Sequence, residues 1–276
     1  MKKKIIIPII SVIILIISTL LYAKFIVNRS LIIKEYKIKN INFTDNFYGL
    51  KIVHISDILY GSINKKQLNK LVDKINKINP DIIIITGNFC IDVTDEKITD
   101  LNIALTKMNA KIKKYVISGN LDEKETYDKI IENTGFKNLN NDYDLIYNTN
   151  FKTILFTGLE EENMQENLNQ ISNKLQETNK HQDIAYTVLL THKPDSIEQI
   201  EYEKFDLILS GHSLNGQVNL PIYGPLIKLE GSKKFYKEHY QFDNTQLYIS
   251  RGIGTLNNNI RLFNKPAINL YRLAPN

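Results

Sequence analysis

The sequence predicts an α/β domain preceded by one transmembrane helix. Apolar, strand-like runs alternate with segments of helical spacing from residue 50 to residue 209, which is the pattern of an α/β fold. Beyond residue 211 short strands dominate, and this β-rich tail predicts a second sheet packed on the first. A long uncharged run occupies the N-terminus. The 276 residues leave room for one large domain or two small ones.

The N-terminal run predicts a membrane anchor. It extends without a charge from Ile5 to Ala23, which is close to the roughly 20 residues that span a bilayer. A cleaved signal peptide would have a shorter apolar region and a small-residue cleavage site, which residues 21–23 match poorly. We therefore expect an uncleaved anchor at residues 1–24, a lead-in at residues 25–48 and the domain at residues 49–276.

The charges around the anchor favour one orientation in the cell membrane. Lys2, Lys3 and Lys4 precede the apolar run and favour an N-terminus on the cytoplasmic side. Lys24 and Arg29 on the other side of the run reduce this charge difference. We expect a single-pass protein whose domain lies outside the cytoplasm, with the lipid bilayer as its partner.

Each element of the domain is predicted from its apolar spacing. Residues 65–78 carry Leu68, Leu71 and Ile75 at helical spacing, and residues 81–86 form a β-branched run that suits a strand covered on both faces. The other strands are predicted at residues 33–41, 50–56, 115–118, 145–147, 153–157, 185–190, 205–209, 240–242, 247–249 and 268–273. The other helices are predicted at residues 98–108, 123–133, 164–179 and 196–202.

Composition argues against a nucleic-acid-binding protein and against a protein stabilised by intrachain disulfides. The net charge is +5, and the N-terminal lysines supply much of it, so the domain lacks the basic stripe of a nucleic-acid-binding protein. We expect no nucleic-acid partner. Cys90 is the only cysteine, so no intrachain disulfide can form.

Five of the predicted strands end in polar residues that can bind ligands. The sequence reads HISD up to Asp57, TGN up to Asn88 and SGNLD around Asn120. It then reads TH at His192 and SGHSLNGQ around His212. Ligands bind at the carboxyl ends of the strands in open α/β sheets, so these residues predict one shared site.

This ordered set of motifs resembles the calcineurin-like metallophosphoesterases, and in particular a membrane-anchored or secreted bacterial branch of them. The family's motifs run D-x-H, G-D, G-N-H-D/E, a lone H and G-H-x-H. Here they read DIL, GN, GNLD, the lone H and GHSL, and the words LTHKPD, PIYGPL, SRGIGT and RLFNKP also match. The resemblance covers about residues 50 to 273. It implies a four-layer α/β/β/α sandwich.

The resemblance implies two metals, and the first metal's ligands are largely replaced. The family holds two divalent ions that clamp a phosphate and generate hydroxide. The first ion's ligands map to Asp57, Leu59, Asn88 and Leu214. Leucine cannot ligate, and Asn88 stands where the family has its bridging carboxylate. Only Asp57 is retained.

The second metal's ligands are better retained but are all neutral. They map to Asn88, Asn120, His192 and His212. These residues predict one weakly bound divalent metal, such as Mn, Fe or Zn, or no metal. The family's proton-handling histidine maps to Leu121, so we expect Asp122 to lose the histidine that it orients in the family.

Three functions follow from these replacements. We expect a catalytically impaired or inactive family member, in which Leu59, Leu121 and Leu214 make the former pocket more apolar. The alternatives are a phosphoesterase that uses one residual metal on phosphodiesters or pyrophosphates, and a membrane-anchored binding or scaffold protein whose ligand the sequence does not name.

The other histidines are not expected to be ligands of the family pattern. His54 is expected to face away from Asp57, and His181 is expected to be solvated. His239 lies in the β-rich tail, where it could approach the site.

Overall fold

The computed structural model describes residues 2–40, 43, 47–147, 152–178 and 183–275. Its helices are α1 (Lys2–Phe25), α2 (Lys65–Ile78), α3 (Asp95–Thr106), α4 (Lys124–Ile131) and α5 (Met164–Thr178). Its strands are β1 (Ile32–Lys39), β2 (Lys51–Ile55), β3 (Ile82–Thr86), β4 (Lys113–Ile117), β5 (Lys137–Asn138), β6 (Asp142–Tyr147), β7 (Lys152–Gly158), β8 (Asp183–Leu190), β9 (Leu207–Ser210), β10 (Asn219–Leu220), β11 (Gly224–Pro225), β12 (His239–Phe242), β13 (Thr245–Ile249) and β14 (Ala267–Ala274). Short 3₁₀ helices lie at Val27–Arg29, Pro194–Gln199, Tyr202–Lys204 and Leu214–Gly216.

Helix α1 is long and apolar enough to cross a membrane. Its most apolar stretch has a mean hydropathy of 2.7, and only 6% of that stretch is buried against the rest of the protein. A signal sequence near the N-terminus also passes this test of length and composition. The helix is therefore a candidate membrane anchor, as its apolar run predicts.

Within the described ranges, two six-stranded sheets and a small hairpin make up the β structure. The first sheet has the order β1-β14-β2-β3-β4-β5 and the second has the order β12-β13-β9-β8-β7-β6. The hairpin pairs β10 with β11. In both sheets the central strands are parallel, as expected where helices alternate with strands.

The core is divided into three layers of apolar contacts. One layer packs α2, α3 and α4 on the outer face of the first sheet, with Leu71, Ile83 and Leu101 fully buried. The second lies between the sheets, where Ile84 of β3 and Val188 of β8 are buried. The third packs α5 on the outer face of the second sheet. Helices therefore cover both outer faces, and the predicted four-layer α/β/β/α sandwich is confirmed.

The parallel strands place five strand ends at one edge of the sandwich, called here the site edge. Strands β2, β3 and β4 are paired in register, so Ile55, Ile85 and Val116 lie side by side near their carboxyl ends. In the second sheet, Leu190 of β8 pairs with Leu209 of β9. The loops that follow these strands leave the two sheets at the same edge.

Local capping explains where the predicted helices begin and end. Asn64 and Gln67 form a reciprocal capping box at the start of α2, and Asn79 ends this helix in the left-handed conformation. Helix α3 begins three residues earlier than its apolar spacing predicts. The Thr94 side chain accepts the N–H of Lys97 and fixes that earlier start.

Two sequence predictions are wrong in detail. The helix predicted at residues 196–202 is instead a pair of short 3₁₀ segments. The β-rich tail does not form the second sheet by itself. Strands β6 to β9 supply most of that sheet, and β14 inserts between β1 and β2 of the first sheet. The turn predicted between β6 and β7 and the predicted helix end at residue 179 lie outside the described residues.

Candidate metal centre

The five candidate ligands lie together at the site edge. Asp57 follows β2, Asn88 follows β3, Asn120 follows β4, and His192 and His212 follow β8 and β9. Hydrogen bonds, the ring contact of the two histidines and a close approach of His192 to Asn120 connect all five side chains. Asp57, Asn88, His192 and His212 are buried, and Asn120 is exposed.

The Asp57 carboxylate is surrounded by hydrogen-bond donors. Its Oδ1 accepts a hydrogen bond from Nδ2 of Asn88 at 3.0 Å. Its Oδ2 accepts from the backbone N–H of His212 at 2.9 Å and lies 2.8 Å from the Ser56 hydroxyl, whose single hydrogen is shared with the carbonyl oxygen of Thr86 at 2.7 Å. Neutral donors thus offset part of the cost of burying the charge.

The Asn88 side chain is fully engaged in the site. Its Oδ1 accepts the backbone N–H of Leu121 at 3.0 Å. Its Nδ2 lies 3.0 Å from Asp57 Oδ1 and 3.4 Å from Asn120 Oδ1, so the two amide hydrogens have an acceptor each. An amide nitrogen therefore stands between two oxygens that a cation would otherwise bring together.

His192 presents a lone pair to the site. Its Nδ1 lies 2.6 Å from the carbonyl oxygen of Thr86, which can only accept, so Nδ1 carries the proton. In the neutral ring the other nitrogen, Nε2, is then unprotonated. It lies 3.1 Å from Asn120 Oδ1 and 4.0 Å from Asp57 Oδ1. Two acceptor atoms of His192 and Asn120 thus face each other at a distance typical of two ligands on one ion.

His212 presents a second lone pair. Its Nε2 donates to the carbonyl oxygen of Glu230 at 2.7 Å, so Nδ1 is unprotonated in the neutral ring. Among the described residues this buried Nδ1 has no hydrogen-bond partner. Burial and the neighbouring His192 ring lower the pKa of His212, whereas the Asp57 carboxylate opposes the shift. The ring therefore stays neutral at neutral pH and can ligate.

These lone pairs suit one divalent cation. Asn120 Oδ1, His192 Nε2 and His212 Nδ1 are the oxygen and imidazole donors that Mn, Fe and Zn accept. Asp57 is the nearest negative charge, but its oxygens already accept three hydrogen bonds. Across the ranges that the structure describes, no group of three or more His, Cys, Asp or Glu side chains is arranged as a metal cluster. The donor set is therefore mainly neutral.

The three leucines at family ligand positions lie in different surroundings. Leu59 and Leu214 are buried, whereas Leu121 is 39% exposed. Leu59 and Leu214 have φ values of 45° and 48°, a left-handed conformation that costs a non-glycine residue on the order of 1–3 kcal/mol. The loops after β2 and β9 therefore hold these two leucines in a strained, left-handed backbone conformation. Leu214 fills the space beside Gly252, where an added Cβ would lie 2.3 Å from Leu214 Cδ2.

Asp122 has a role that the sequence did not reveal. Its carboxylate accepts the backbone N–H groups of Asn88 at 2.6 Å, Phe89 at 2.8 Å and Gly119 at 2.8 Å. Burial raises the pKa of Asp122, and the three N–H groups oppose the shift. Asp122 thus joins the loops that follow β3 and β4. The aspartate that was expected to lose its partner is a structural link between these loops.

Arg261 is the second residue that sequence reasoning missed. It is fully buried, and its Nη2 donates to the carbonyl oxygens of Arg251, Gly252 and Gly254. Burial lowers the pKa of Arg261 to about 9, and the Asp57 carboxylate opposes the shift. The guanidinium thus places a buried cation near Asp57. The motif RLFNKP, which begins with Arg261, does not by itself predict that this arginine is buried near Asp57.

His54 and His239 do not join the site. His54 lies in the core, and its Nε2 bonds to Thr86 Oγ1 at 2.8 Å, so it faces away from Asp57 as expected. Burial lowers the pKa of His54 to about 3. His239 lies on β12, where its ring is 4.4 Å from the ring of Tyr248. His181 lies outside the described residues.

The space beside the site is acidic rather than apolar. A cavity of about 290 Å³ is lined by Asn120 and His192 together with Glu160, Glu161 and Glu162. A smaller cavity of about 130 Å³, with apolar walls, lies next to Leu214. The expectation of an apolar pocket is therefore wrong for the cavity that reaches Asn120 and His192, because Leu59 is enclosed and does not line it.

Comparisons with known proteins agree with the motifs. The family model described as calcineurin-like phosphoesterase matches residues 50–216. An uncharacterized metallophosphoesterase of Bacillus subtilis, YkuE, is 28% identical over 267 residues, which are 91% of this chain and 88% of the relative.

Two further relatives are longer than the segment that they share with this chain. An uncharacterized metallophosphoesterase of Campylobacter jejuni, Cj0846, is 28% identical over 254 residues, which are 88% of this chain and 64% of the relative. A transmembrane protein with a metallophosphoesterase domain from Danio rerio is 25% identical over 190 residues, which are 63% of this chain and 42% of the relative. The family match spans more than half of the chain, and the chain belongs to the calcineurin-like phosphoesterase family.

Proposed function

We propose that this protein is a membrane-anchored family member that has lost the two-metal chemistry of its site. The observation that carries the proposal is the position of the Asn88 amide. Its nitrogen donates to Asp57 Oδ1, in the place where the family's bridging carboxylate would share two cations. Without that carboxylate, two dications have no common anionic ligand to offset their mutual repulsion.

The surroundings of Asp57 support the loss of the first metal position. Leu59 and Leu214 stand at two of its ligand positions and offer no lone pair. The carboxylate oxygens of Asp57 already accept hydrogen bonds from Ser56, Asn88 and the backbone of His212. A metal at this position would have to displace those donors, and the one other ligand-bearing position of the family set holds the neutral amide of Asn88, whose oxygen already accepts the Leu121 N–H.

The second metal position supports binding of one divalent ion. Asn120, His192 and His212 would hold it, and Nδ1 of His212, which has no hydrogen-bond partner in the described ranges, favours this reading. When bound, such an ion polarises a phosphoryl oxygen and lowers the pKa of a bound water. Thr86 fixes the tautomer of His192 by accepting its Nδ1 proton. Leu121 provides no proton for a leaving group, so hydrolysis of phosphodiesters or pyrophosphates by one metal is the runner-up function.

The acidic cavity supports a third reading, in which the site binds rather than hydrolyses. Glu160 and Glu161 are fixed in its wall, Glu160 by Asn140 and Asn141 and Glu161 by its ion pair with Lys193. Carboxylates in that wall would repel a phosphate group and attract a cationic ligand. In each reading α1 anchors the domain to the cell membrane as a single span, with the domain outside the cytoplasm.

Metal analysis of the purified full-length protein tests the proposal. We expect at most one equivalent of Mn, Fe or Zn, and near-background turnover of phosphodiester substrates with added manganese. The variant His212→Ala should lose the bound metal, whereas His239→Ala, which removes a histidine away from the site, should keep it. Two equivalents of metal together with ordinary enzyme rates would show that the two-metal site is intact. Purified protein without bound metal would favour the binding function.

A further inference from the structure

We propose that an exposed apolar hairpin docks into the bilayer that α1 spans and holds the site edge of the domain against the membrane surface. The apolar hairpin is defined here as β10, β11 and their turn, together with Leu226 and Ile227. Phe263 lies next to it. The proposal rests on the anchoring role of α1 and adds a second membrane contact made by the folded domain.

The apolar hairpin exposes large side chains in one place. Ile222 and Tyr223 at its tip are 101% and 84% exposed, and Leu226, Ile227 and Phe263 are each more than half exposed. Soluble proteins commonly expose single apolar residues, but a contiguous group of this kind marks an interaction surface. These five side chains therefore suit an apolar environment that the described part of the chain does not supply.

The hairpin is continuous with the end of α1. The backbone nitrogen of Arg261 lies 3.5 Å from the carbonyl oxygen of Ala23, and Ala23 is buried at this contact. The next residue, Leu262, forms a β-bridge with Val218 at the base of the hairpin. The segment 261–263 thus lies between the end of α1 and the hairpin, and it includes the exposed Phe263.

The sheet topology turns the site edge towards the membrane. Strand β1 begins at Ile32, which pairs with Ala267 of β14. Strand β14 runs antiparallel to β2, and Asn269 pairs with His54 near the carboxyl end of β2. The chain therefore enters the domain at the same edge where Asp57 and the other candidate ligands lie. The opposite edge, where Tyr147 ends β6, faces away from the bilayer.

The residue types at this edge favour lipid as the occupant. Tyr22 and Phe25 are exposed at the end of α1, and Tyr223 and Phe263 extend this aromatic set onto the domain. Tyrosine and tryptophan are enriched at the level of the lipid headgroups, which suits Tyr22 and Tyr223. An anchored domain is also held beside the bilayer at high effective concentration, so even a weak second contact is populated. No soluble partner has this advantage.

Tryptophan fluorescence in the full-length protein tests the proposal, because the chain contains no tryptophan. The test variants are Tyr223→Trp and Phe263→Trp, reconstituted in vesicles whose lipids are brominated near the headgroup end of the acyl chains. The matched control is Tyr147→Trp, another exposed aromatic position, at the opposite edge. A fourth variant, Leu15→Trp, reports on α1 in vesicles brominated deep in the acyl chains.

We expect the brominated lipids to quench Tyr223→Trp and Phe263→Trp several-fold more strongly than Tyr147→Trp. The emission of the two hairpin variants should also shift to shorter wavelength on reconstitution. Quenching of Tyr223→Trp at the level of Tyr147→Trp, while Leu15→Trp is strongly quenched, would overturn the docking and leave the anchor intact. Absence of quenching for Leu15→Trp would instead show that α1 does not span the bilayer and would overturn both statements.

Discussion

Nδ2 of Asn88 donates a hydrogen bond to Oδ1 of Asp57 at 3.0 Å, between the ends of β2 and β3. A neutral donor therefore satisfies the buried carboxylate without a metal. The same geometry with a carboxylate at position 88 would bring two negative groups together and would need a cation between them. We therefore expect the amide of Asn88 to reduce the need for a metal at this edge.

The first prediction concerns that amide. We expect Asn88→Asp to lower the free energy of unfolding by about 1–3 kcal/mol in the presence of a chelator, because a hydrogen bond is lost and a carboxylate is left unpaired. Added manganese should recover more stability in Asn88→Asp than in the parent protein. Denaturant unfolding with and without manganese measures both effects.

The control for this change is Asn173→Asp, which makes the same substitution at an exposed position of α5. It should change neither the stability nor the response to manganese. Equal stability of Asn88→Asp and the parent in chelator would contradict the role assigned to the amide.

The second prediction concerns Asp122. We expect Asp122→Asn to lower the free energy of unfolding by roughly 2–3 kcal/mol, because an amide cannot accept all three backbone N–H groups that the carboxylate binds. Glu123→Gln, a neutralisation of the adjacent exposed carboxylate, should have little effect. Chemical denaturation of both variants provides the comparison. Similar small losses in the two variants would mean that Asp122 does not join the loops energetically.

The third prediction concerns the pH dependence of stability. The pKa of His54 is about 3 in the folded protein and about 6.5 in the unfolded chain, so the unfolded state binds one more proton between these values. Stability should therefore fall as the pH is lowered through this window, by up to about 1.4 kcal/mol per pH unit from His54.

In the variant His54→Gln, the unfolded and folded states should differ by close to one proton less over that window. The slope of the free energy of unfolding against pH measures this difference. His239→Gln should reduce the slope less, because the His239 side chain is largely exposed. An unchanged slope in His54→Gln would mean that the folded protein tolerates a protonated His54.

The fourth prediction concerns restoration of the family site. The combined change Leu59→His, Asn88→Asp, Leu121→His and Leu214→His returns three ligands and the proton donor of the family pattern. We expect it to bind two equivalents of manganese and to gain phosphodiester hydrolysis, since general acid–base catalysis alone contributes roughly 10²–10⁴-fold. The same protein without Leu121→His should bind both metals but hydrolyse more slowly. Failure to bind the second metal in a folded variant would show that the loops no longer fit it.

The fifth prediction concerns the anchor. Because the apolar run of α1 suits a membrane span, the protein should stay with the membrane fraction after a high-salt or alkaline wash. Protease added to intact cells should remove the domain if it lies outside the cytoplasm. Release of a shortened soluble form would show cleavage, and protection of the domain would show the opposite orientation.

The sequence by itself determined most element positions, and its resemblance to a known family added the four-layer arrangement and the candidate ligands. Apolar spacing is local, so it placed α2 and β3 within a residue of their observed bounds. The strand-end motifs placed Asp57, Asn120 and His212 in the loops that follow parallel strands, whose carboxyl ends lie at one edge. The element positions and the shared edge were predictable because they depend on neighbouring residues or on a general rule of sheet topology, whereas the metal-binding roles of these residues stay a prediction.

Only the tertiary structure decided how the polar groups are paired. The Asp122 carboxylate binds backbone groups in the loops after β3 and β4, and the Arg261 guanidinium binds the loop after β13. No local sequence pattern predicts either set of contacts. The insertion of β14 between β1 and β2 is likewise a long-range pairing. It places the start of β1, and with it the end of α1, at the edge that holds Asp57. Contacts between distant segments depend on the packing of whole sheets, which spacing along the chain does not specify.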